Sequence, residues 1–460
     1  MLASVKRPAL LAICAIALAH AALYIAYQRP DWDISWTDQA GYRRLGAVLA
    51  TTGEFTRYPD APVFVPEVIR TPGYPAFVAA VYRIAGIGND LAVTSVQALV
   101  FVVICLLAFQ IGRRAAGQRQ GVIAAALVAL FSPLPYFGGL VLTELWTAFV
   151  ATVAMLQCFR AIQRQRLADF VVAGVLLSAT TLVRPAFVLL PFFLAIGMPL
   201  LVKSERDRRA LRRWAALAIA AALTLAPWFT YNYIYLGQFA LSPAGGVGRG
   251  LWEGSWQGHW PGRTQARLTQ LASETTSRPQ LDQQVRGVAA ESGFPDELML
   301  EYVHEWRDIR AIWEAPVDPA ERARARVVAD GEYRRAALAH ISRDPIGHVL
   351  RRLRTGTFVL WSAEVPIRYS DINATPVAVI RGLWLIQAVL AGLAVFGGWH
   401  LARRGHWPEA VLLALPLIYV TGVHLPLLCE ARQSLPVKPL MLVLTAIGIS
   451  RLTSPGTAGS

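Results

Sequence analysis

The chain has 460 residues, of which 55% are hydrophobic and only 16% are charged, and its mean hydropathy is +0.42. This composition excludes an ordinary water-soluble domain and a disordered chain, because both carry many more polar side chains. The apolar residues fall into runs of roughly 20, the length that crosses the hydrocarbon core of a bilayer. We therefore predict an all-α polytopic membrane protein.

The formal net charge of +14 comes from 44 basic and 30 acidic residues, and nearly all of the basic residues are arginine. A basic excess can indicate a nucleic-acid partner. The positions of the basic residues along the chain show whether it does so here. The arginines cluster in short gaps between apolar runs, as at 113–119, 160–166 and 203–213. Because cytoplasmic loops are enriched in basic residues, this pattern orients the membrane protein with its first residues inside. No nucleic-acid partner is predicted.

The apolar runs predict about ten transmembrane helices with both ends of the chain on the cytoplasmic side. They lie near 8–28, 91–111, 120–138, 142–159, 168–183, 186–202, 214–235, 376–402, 409–427 and 433–450. The first run, which contains Ala17-Leu18-Ala19, also fits a secretory signal peptide, and this alternative stays open. The predicted organisation begins with a transmembrane core at 1–235 that contains a first external loop at 29–90. It continues with an external and partly interfacial segment at 236–375, C-terminal transmembrane helices at 376–452 and a disordered tail at 453–460.

Two segments interrupt the apolar runs, and both lie on the outer side in this topology. The first, 29–90, is predicted to carry interfacial helices, since its apolar stretch 74–85 is too short to span a bilayer easily. The second is mostly helical. Asp318-Pro319 starts an amphipathic helix, and 343–361 has one basic and one apolar face, as in a helix that lies along a membrane surface. This arrangement is typical of an enzyme that works at the outer surface.

Asp38 is the candidate general base. It opens the stretch Asp38-Gln39-Ala40-Gly41-Tyr42, so on a helix Asp38 and Tyr42 share one face. A carboxylate at the boundary between water and membrane can accept a proton from a hydroxyl or an amine. The alternative is that Asp38 caps the N-terminus of this helix.

Upstream, Asp31-Trp32-Asp33 offers two carboxylates to a divalent cation, although a motif of three residues is a weak signal.

Four ionisable residues at the ends of predicted spans form a second group of candidates: Glu144, Arg184, Glu430 and Arg432. A charge near hydrocarbon is costly and is retained mostly where it pairs or functions. Arg184 and Arg432 lie on the outer side, against the usual bias of basic residues. A phosphate ligand would explain them through charge-assisted hydrogen bonds. The alternative is a structural ion pair, Arg184 with Glu144 or Arg432 with Glu430.

Seven motifs in order along the chain resemble those of the C-type (GT-C fold) glycosyltransferases, in particular the bacterial branch related to dolichyl-phosphate-mannose protein mannosyltransferases and aminoarabinose transferases. Besides the stretch that begins at Asp38, they are Arg70-Thr71-Pro72-Gly73-Tyr74-Pro75, Thr143-Glu144, Leu182 to Pro185, Pro227 to Gly237, Asp344-Pro345 to Trp361, and Glu430-Ala431-Arg432. One position departs from the family pattern. The glutamate that often follows the aspartate is Gln39 here, which removes one possible metal ligand.

The resemblance implies inverting sugar transfer from a polyprenyl-phosphate-linked donor to a lipid, glycan or protein acceptor. The reaction would take place at the outer, periplasmic face of a bacterial plasma (inner) membrane. In this interpretation the catalytic residue is Asp38, the donor phosphate is bound by Arg184, Arg432 and Arg70, and the supporting residues are Tyr42, Tyr74, Glu144 and Glu430. No metal ligand and no cofactor is assigned, although a divalent cation is compatible with the resemblance.

Other interpretations stay open for the whole chain and for its long external segment. A transporter or flippase of a sugar-lipid is the main alternative, but the paired, interrupted helices typical of transporters are not visible. A non-catalytic scaffold is another alternative.

The long external segment contains three tryptophans, Trp252, Trp256 and Trp260. They are predicted either to stack on sugar rings or to anchor the segment in the membrane interface. The stretch 261–339 has no assigned role.

Overall fold

The structure is a computed structural model that describes residues 7–32 and 37–453. Helices make up all the regular structure of these residues, and no strand occurs among them. The α-helices are α1 (Arg7–Gln28), α2 (Thr37–Thr51), α3 (Gly73–Ala85), α4 (Asp90–Ala116), α5 (Gln118–Leu130), α6 (Pro133–Gly138), α7 (Thr143–Arg164), α8 (Leu167–Val183), α9 (Leu190–Leu201), α10 (Arg208–Leu236), α11 (Val247–Trp256), α12 (Gly262–Glu274), α13 (Arg278–Ser292), α14 (Asp296–Glu314), α15 (Pro319–Arg343), α16 (Pro345–Arg351), α17 (Thr357–Ser362), α18 (Val377–Arg403), α19 (Trp407–His424) and α20 (Lys438–Leu452). The predicted cation motif Asp31-Trp32-Asp33 lies partly outside the described residues, because Asp33 is not among them. The predicted disordered tail also lies outside them, except for Thr453.

Within the described residues, seven helices are long and apolar enough to cross a membrane: α1, α4, α7, α10, α18, α19, and α20 together with the 3-10 helix Ala431–Val437 that precedes it. The three other predicted spans, α5, α8 and α9, are apolar but shorter. The prediction of an all-α polytopic membrane protein is therefore confirmed. The count of ten spans stays a prediction, because a helix of 13 residues such as α5 is shorter than the usual transmembrane length.

The bundle has an enclosed centre and an exposed periphery. The helix α20 packs against α4, α5 and α18, and α7 packs against α4 and α8. Most of the side chains of α20 are buried, whereas α1 and α18 expose most of theirs. Since those exposed side chains are largely apolar, as with Leu11, Leu23 and Leu385, these two helices are suited to contact with lipid.

We call the end of the bundle at which α1 ends and α4 begins the loop end. The helices α2 and α3 lie there and pack against each other around the buried Tyr74. The long segment between α10 and α18 joins them, because the Ser242 hydroxyl donates a hydrogen bond to the carbonyl oxygen of Ile69. Both interrupting segments therefore meet at one end of the bundle.

The long segment has a hydrophobic core of its own, formed by α11 to α15. Its longest helix, α15, begins as predicted, since the Asp318 carboxylate accepts hydrogen bonds from the backbone amides of Ala320 and Glu321. The predicted basic and apolar helix is present as α16 and α17, joined by a π-helix at Arg352–Gly356. Its apolar face, which includes Ile346 and Leu350, is exposed.

The prediction for the three tryptophans of this segment was wrong. Trp252, Trp256 and Trp260 are buried in the core formed by α11 to α15. Trp252 stacks on Tyr302, and Trp256 and Trp260 contact the same tyrosine ring edge to face. Aromatic rings enclosed in this way have no free face for a sugar and do not reach a membrane interface.

Candidate active site

Asp38 lies in the first turn of α2, which begins at Thr37. Its Oδ1 atom accepts a hydrogen bond from Arg70 Nη2 at 2.9 Å, and its Oδ2 atom accepts one from Arg432 Nη1 at 3.4 Å. The described contacts of this carboxylate are thus to two guanidinium groups from distant parts of the chain. Capping would instead require contacts with the amide groups at the start of α2, so the structure does not support the capping alternative.

The charges around Asp38 keep its carboxyl group ionised. Burial raises the pKa of Asp38, but the positive charges of Arg432 and Arg70 outweigh burial and hold the pKa below its usual value. The side chain is nevertheless 44% exposed, so it is accessible to a second molecule. Asp38 is therefore a carboxylate at neutral pH and can accept a proton, as a general base must.

Arg70 is held over Asp38 by its neighbours in the first loop. The buried Glu67 carboxylate accepts hydrogen bonds from the backbone amides of Ile69 and Arg70, at 2.8 Å and 3.1 Å, which fixes the turn that carries the arginine. The Arg70 guanidinium lies 4.4 Å from the centre of the Tyr42 ring, a cation–π contact. A Cβ atom at position 41 would collide with this guanidinium, so only glycine allows the arginine to lie here.

Glu144 is the most buried carboxylate of the site, with a side chain that is 3% exposed at the start of α7. Its Oε1 atom lies 3.3 Å from Arg184 Nη1 and 3.6 Å from Arg432 Nη1. Arg184 follows α8, which ends where Pro185 begins a short 3-10 helix. Among the described contacts only Nη1 of Arg184 has a hydrogen-bond partner. Its other N–H groups are therefore available to an anionic ligand.

Arg432 is the centre of the ion-pair network. Its Nε atom donates to Glu430 Oε2 at 3.1 Å, while its Nη1 atom lies near Asp38 and Glu144. Glu430 also begins the 3-10 helix Ala431–Val437 with a reciprocal capping box to Gln433, which orients the arginine. Both ion pairs of the structural alternative, Arg184 with Glu144 and Arg432 with Glu430, are thus present. Phosphate binding by these arginines stays a prediction.

The structure brings the eight predicted site residues together at the loop end. Three carboxylates face three guanidinium groups, and two tyrosines form a wall beside them. The Tyr42 and Tyr74 rings meet edge to face at 5.1 Å, and the buried Tyr74 hydroxyl donates to Gln97 Oε1 at 2.9 Å. Gly73 permits this packing, since a Cβ atom there would lie 2.7 Å from the carbonyl oxygen of Leu182 on α8.

Gln39 has a structural role that the sequence did not reveal. Its buried side-chain amide donates from Nε2 to the carbonyl oxygen of Trp32 at 3.2 Å, and its Oε1 atom accepts from the backbone amide of Val141 at 2.9 Å. The side chain thus ties the start of α2 to the turn before Glu144. A carboxylate can accept hydrogen bonds but, when ionised, cannot donate one. This pair of contacts therefore explains why an amide suits position 39.

Lys438 and Glu364 are two further ionisable residues that the sequence interpretation missed. Lys438 is completely buried at the start of α20, and its Nζ atom donates to the carbonyl oxygen of Trp361 at 2.7 Å. Burial raises the pKa of the Glu364 carboxyl to about 8, although the charge of Lys438 lowers it. The sequence did hold a signal, since Lys438 is one of only three lysines and begins an apolar run.

We expect Glu364→Gln to stabilise the protein more at pH 8 than at pH 5. Between the ordinary pKa of 4.5 and the raised pKa of about 8, the unfolded chain is ionised at this position while the folded chain stays protonated. The contribution of Glu364 to wild-type stability should therefore fall with rising pH, by up to about 1.4 kcal/mol per pH unit, whereas glutamine does not titrate. Thermal unfolding of both proteins at pH 5, 6.5 and 8 measures the difference.

The matched control is Glu314→Gln, which neutralises an exposed carboxylate that pairs with Arg310. Its effect on the melting temperature should be small and nearly constant over the same pH range. A constant difference between Glu364→Gln and wild type would contradict the raised pKa.

The arrangement of helices matches solved oligosaccharyltransferases. Archaeal AglB from Archaeoglobus fulgidus in complex with an inhibitory peptide and a dolichol-phosphate superimposes with a TM-score of 0.53 at 15% identity, covering 96% of this chain and 50% of that chain. The same oligosaccharyltransferase tethered to an acceptor peptide with the NVT sequon gives a TM-score of 0.52 at 16% identity, with 97% and 50% covered. This chain has the GT-C fold. It spans about half the length of the oligosaccharyltransferase chains that it matches.

Residues 69–231 of this GT-C chain match the family model of dolichyl-phosphate-mannose-protein mannosyltransferase. The matched segment contains Arg70, Tyr74, Glu144 and Arg184. ArnT from Cupriavidus metallidurans bound to undecaprenyl phosphate also matches, with a TM-score of 0.42 and 13% identity over 97% of this chain and 79% of that chain. No curated protein sequence matches the chain. The resemblance to GT-C glycosyltransferases is confirmed.

Proposed function

We propose that the chain is a membrane glycosyltransferase that moves a sugar from a polyprenyl-phosphate-linked donor to an acceptor, with inversion, at the outer face of the membrane. The observation that carries the proposal is an ionised, accessible carboxylate, Asp38, in contact with Arg70 and Arg432 at one end of an apolar helix bundle. Arg184 joins the same network through Glu144. A second support is the fold, since the matched AglB was solved with a dolichol-phosphate.

In this mechanism Asp38 removes the proton from the acceptor hydroxyl or amine as that group attacks the anomeric carbon of the sugar. The bond between that carbon and the phosphate oxygen breaks, and the electron pair stays on the lipid phosphate. Negative charge therefore develops on the leaving group, where Arg184 and Arg432 stabilise it with charge-assisted hydrogen bonds. Arg70, which lies against the Tyr42 ring, holds the base in position.

An apolar groove suits the lipid tail of the donor. It has a volume of about 970 Å³, lies between α17, α18, α19 and α20, and is lined largely by small and aliphatic side chains. Trp361 and Thr421 line it at the loop end, and Trp399 and Trp407 line it at the other end. The carbonyl oxygen of Trp361 contacts Lys438, which directly follows the 3-10 helix of Arg432. A tail in this groove would place its phosphate near the arginines.

The purified protein in lipid nanodiscs, mixed with defined polyprenyl-phosphate sugars and candidate acceptors, tests the proposal. We expect release of the polyprenyl phosphate together with a product heavier by one sugar, both measured by mass spectrometry. Movement of an intact sugar-lipid across proteoliposomes without cleavage would instead favour the flippase alternative. Absence of both donor binding and turnover across the donor panel would contradict the proposal.

We expect Arg184→Ala to weaken donor binding by about tenfold or more, since a hydrogen bond to a charged group contributes about 1.5–3 kcal/mol. Acceptor binding should change much less. The measurement is the dissociation constant of a polyprenyl phosphate for each variant. Arg43→Ala is the matched control, because Arg43 also forms an ion pair at the loop end, 2.7 Å from Asp90. Unchanged donor affinity in Arg184→Ala, with reduced stability, would support the structural ion pair instead.

A further inference from the structure

A cluster of two glutamates and one histidine lies in the core formed by α11 to α15. Glu301 and Glu305 are one turn apart on α14, so their side chains leave the same face of the helix. His340 approaches from α15, with its Nε2 atom 3.4 Å from Glu301 Oε1 and 3.1 Å from Glu305 Oε1. Ligand atoms of the three residues all lie within 4.8 Å of one another. Their side chains are sheltered but still accessible to solvent.

The hydrogen bonds behind His340 indicate which of its ring nitrogens faces the two glutamates. The Ser255 hydroxyl donates its proton to the carbonyl oxygen of Trp252 at 2.7 Å. Its oxygen therefore accepts from His340 Nδ1, 3.2 Å away, and the Nδ1 atom carries a proton. In a neutral imidazole the Nε2 atom then has only a lone pair, which would face two carboxylate oxygens. A metal ion between the Nε2 lone pair and the two carboxylates would satisfy all three groups.

The surrounding residues resemble the outer shell of a metal site. Trp252 Nε1 donates to Glu305 Oε2 at 2.7 Å, which orients that carboxylate, as outer hydrogen bonds do for metal ligands. The Trp256 ring meets the His340 ring edge to face at 4.4 Å. The indole N–H of Trp256 is buried without a hydrogen-bond partner among the described residues, and its ring lies against that of His340. It is therefore a polar group at the cluster that a bound ligand can satisfy.

We propose that Glu301, Glu305 and His340 bind a divalent transition metal ion, best matched by Zn²⁺. One imidazole nitrogen and two carboxylate oxygens suit zinc, which takes nitrogen and oxygen ligands in tetrahedral geometry. The protein supplies three ligands, and a water molecule completes the set. The Trp256 N–H then has a partner in this water. Glu301 Oε1 also contacts Arg343 Nη1 at 2.7 Å, so the metal shares this carboxylate with the arginine.

The metal would stabilise the contact between this core and the candidate active site. It joins α14 to α15 and, through Trp252 and Ser255, to α11. The carbonyl oxygen of Gly250 on α11 accepts from the Leu428 amide at 2.6 Å, two residues before Glu430. Gln257, at the end of α11, binds the backbone N–H and C=O of Cys429. The cluster is separate from the proposed transfer site, so the metal proposal holds or fails independently of that function.

Zinc titration of the chelator-stripped, full-length protein, purified without a histidine tag, tests the proposal. We expect one Zn²⁺ per chain by elemental analysis and a melting temperature that rises until one equivalent is bound. His340→Gln and Glu305→Gln should each weaken zinc binding at least tenfold, because each loses a ligand. The matched control is His304→Gln, since His304 Nε2 forms a separate pair with Asp282 Oδ1 at 2.6 Å. This control should bind zinc like wild type.

Two results would overturn the metal site: wild-type protein that retains no zinc, or unchanged zinc affinity in both His340→Gln and Glu305→Gln. If His340→Gln does not fold, X-ray absorption of the zinc-loaded wild type identifies the zinc ligands instead. One nitrogen ligand with oxygen ligands would support the site, and sulfur ligands or several imidazoles would contradict it.

Discussion

Asp38→Asn is expected to lower the kcat for sugar transfer by about 10²- to 10⁴-fold, the usual contribution of a general base. The substitution keeps the size of the side chain and an oxygen that can still accept from Arg70, 2.9 Å away in the wild type. It removes the negative charge that takes the proton of the acceptor. Folding and donor affinity should therefore change little. Initial rates at saturating donor, together with thermal unfolding, measure the two effects separately.

The matched control is Asp90→Asn. Asp90 also forms an ion pair with an arginine at the loop end, Arg43, but it makes no contact with the Asp38 network among the described residues. Its rate should stay within a few-fold of wild type. If Asp38→Asn turned over normally while folded, Asp38 would have no role as the base. Equal losses in both variants would point to a general effect of the lost charge at this end of the bundle.

Arg432→Ala should cause the largest combined loss, about 10³-fold or more in kcat/KM and several kcal/mol in stability. The arginine contacts Asp38, Glu144 and Glu430 at once, and Glu144 is almost fully buried. Removing one partner of a buried ion pair leaves an uncompensated charge and costs about 3–5 kcal/mol. The same substitution removes the donor groups proposed to stabilise the leaving phosphate.

The charge of Arg432 also lowers the pKa of Asp38. In Arg432→Ala the acid limb of the pH–rate profile should therefore move to higher pH, because the carboxylate gains a proton more easily. Donor affinity, melting temperature and this profile are the three measurements. Arg451→Ala, at the opposite end of α20 and exposed, is the control for loss of an arginine from the same helix. A stable variant with unchanged donor affinity would contradict the proposed role.

Features with a local pattern were predictable from the sequence. An apolar run of sufficient length is helical in a membrane, because each backbone N–H and C=O group must find its partner inside the segment. The same local logic found the start of α15 at Asp318, where a short polar side chain meets the free amides of the first turn. Glu144, Arg184, Glu430 and Arg432 were found because charges at the ends of apolar runs are unusual and need a reason. Asp38 and Tyr42 were found from their spacing on one helix face, and Arg70 and Tyr74 from the family resemblance.

The sequence did not reveal features that depend on which helix faces pack against each other. A buried tryptophan and an interfacial one have the same local sequence pattern, and only the packing of α11 against α14 and α15 encloses Trp252, Trp256 and Trp260. The amide of Gln39 appeared as a departure from a motif until its two partners, from separate segments, were visible. Glu301, Glu305 and His340 were unremarkable in a charged stretch, because His340 lies on a different helix.

The sequence by itself therefore determined the membrane environment, the helical elements and the residues whose charge required an explanation. Hydrophobicity and helix period act over a few neighbouring residues, so they can be read without knowing the fold. The tertiary structure alone decided which charges meet. Asp38 and Arg432 are 394 positions apart, and their contact depends on how α2 and the helix before α20 pack at the loop end. The strength of an ion pair depends on distance and burial, and both are properties of the packed chain.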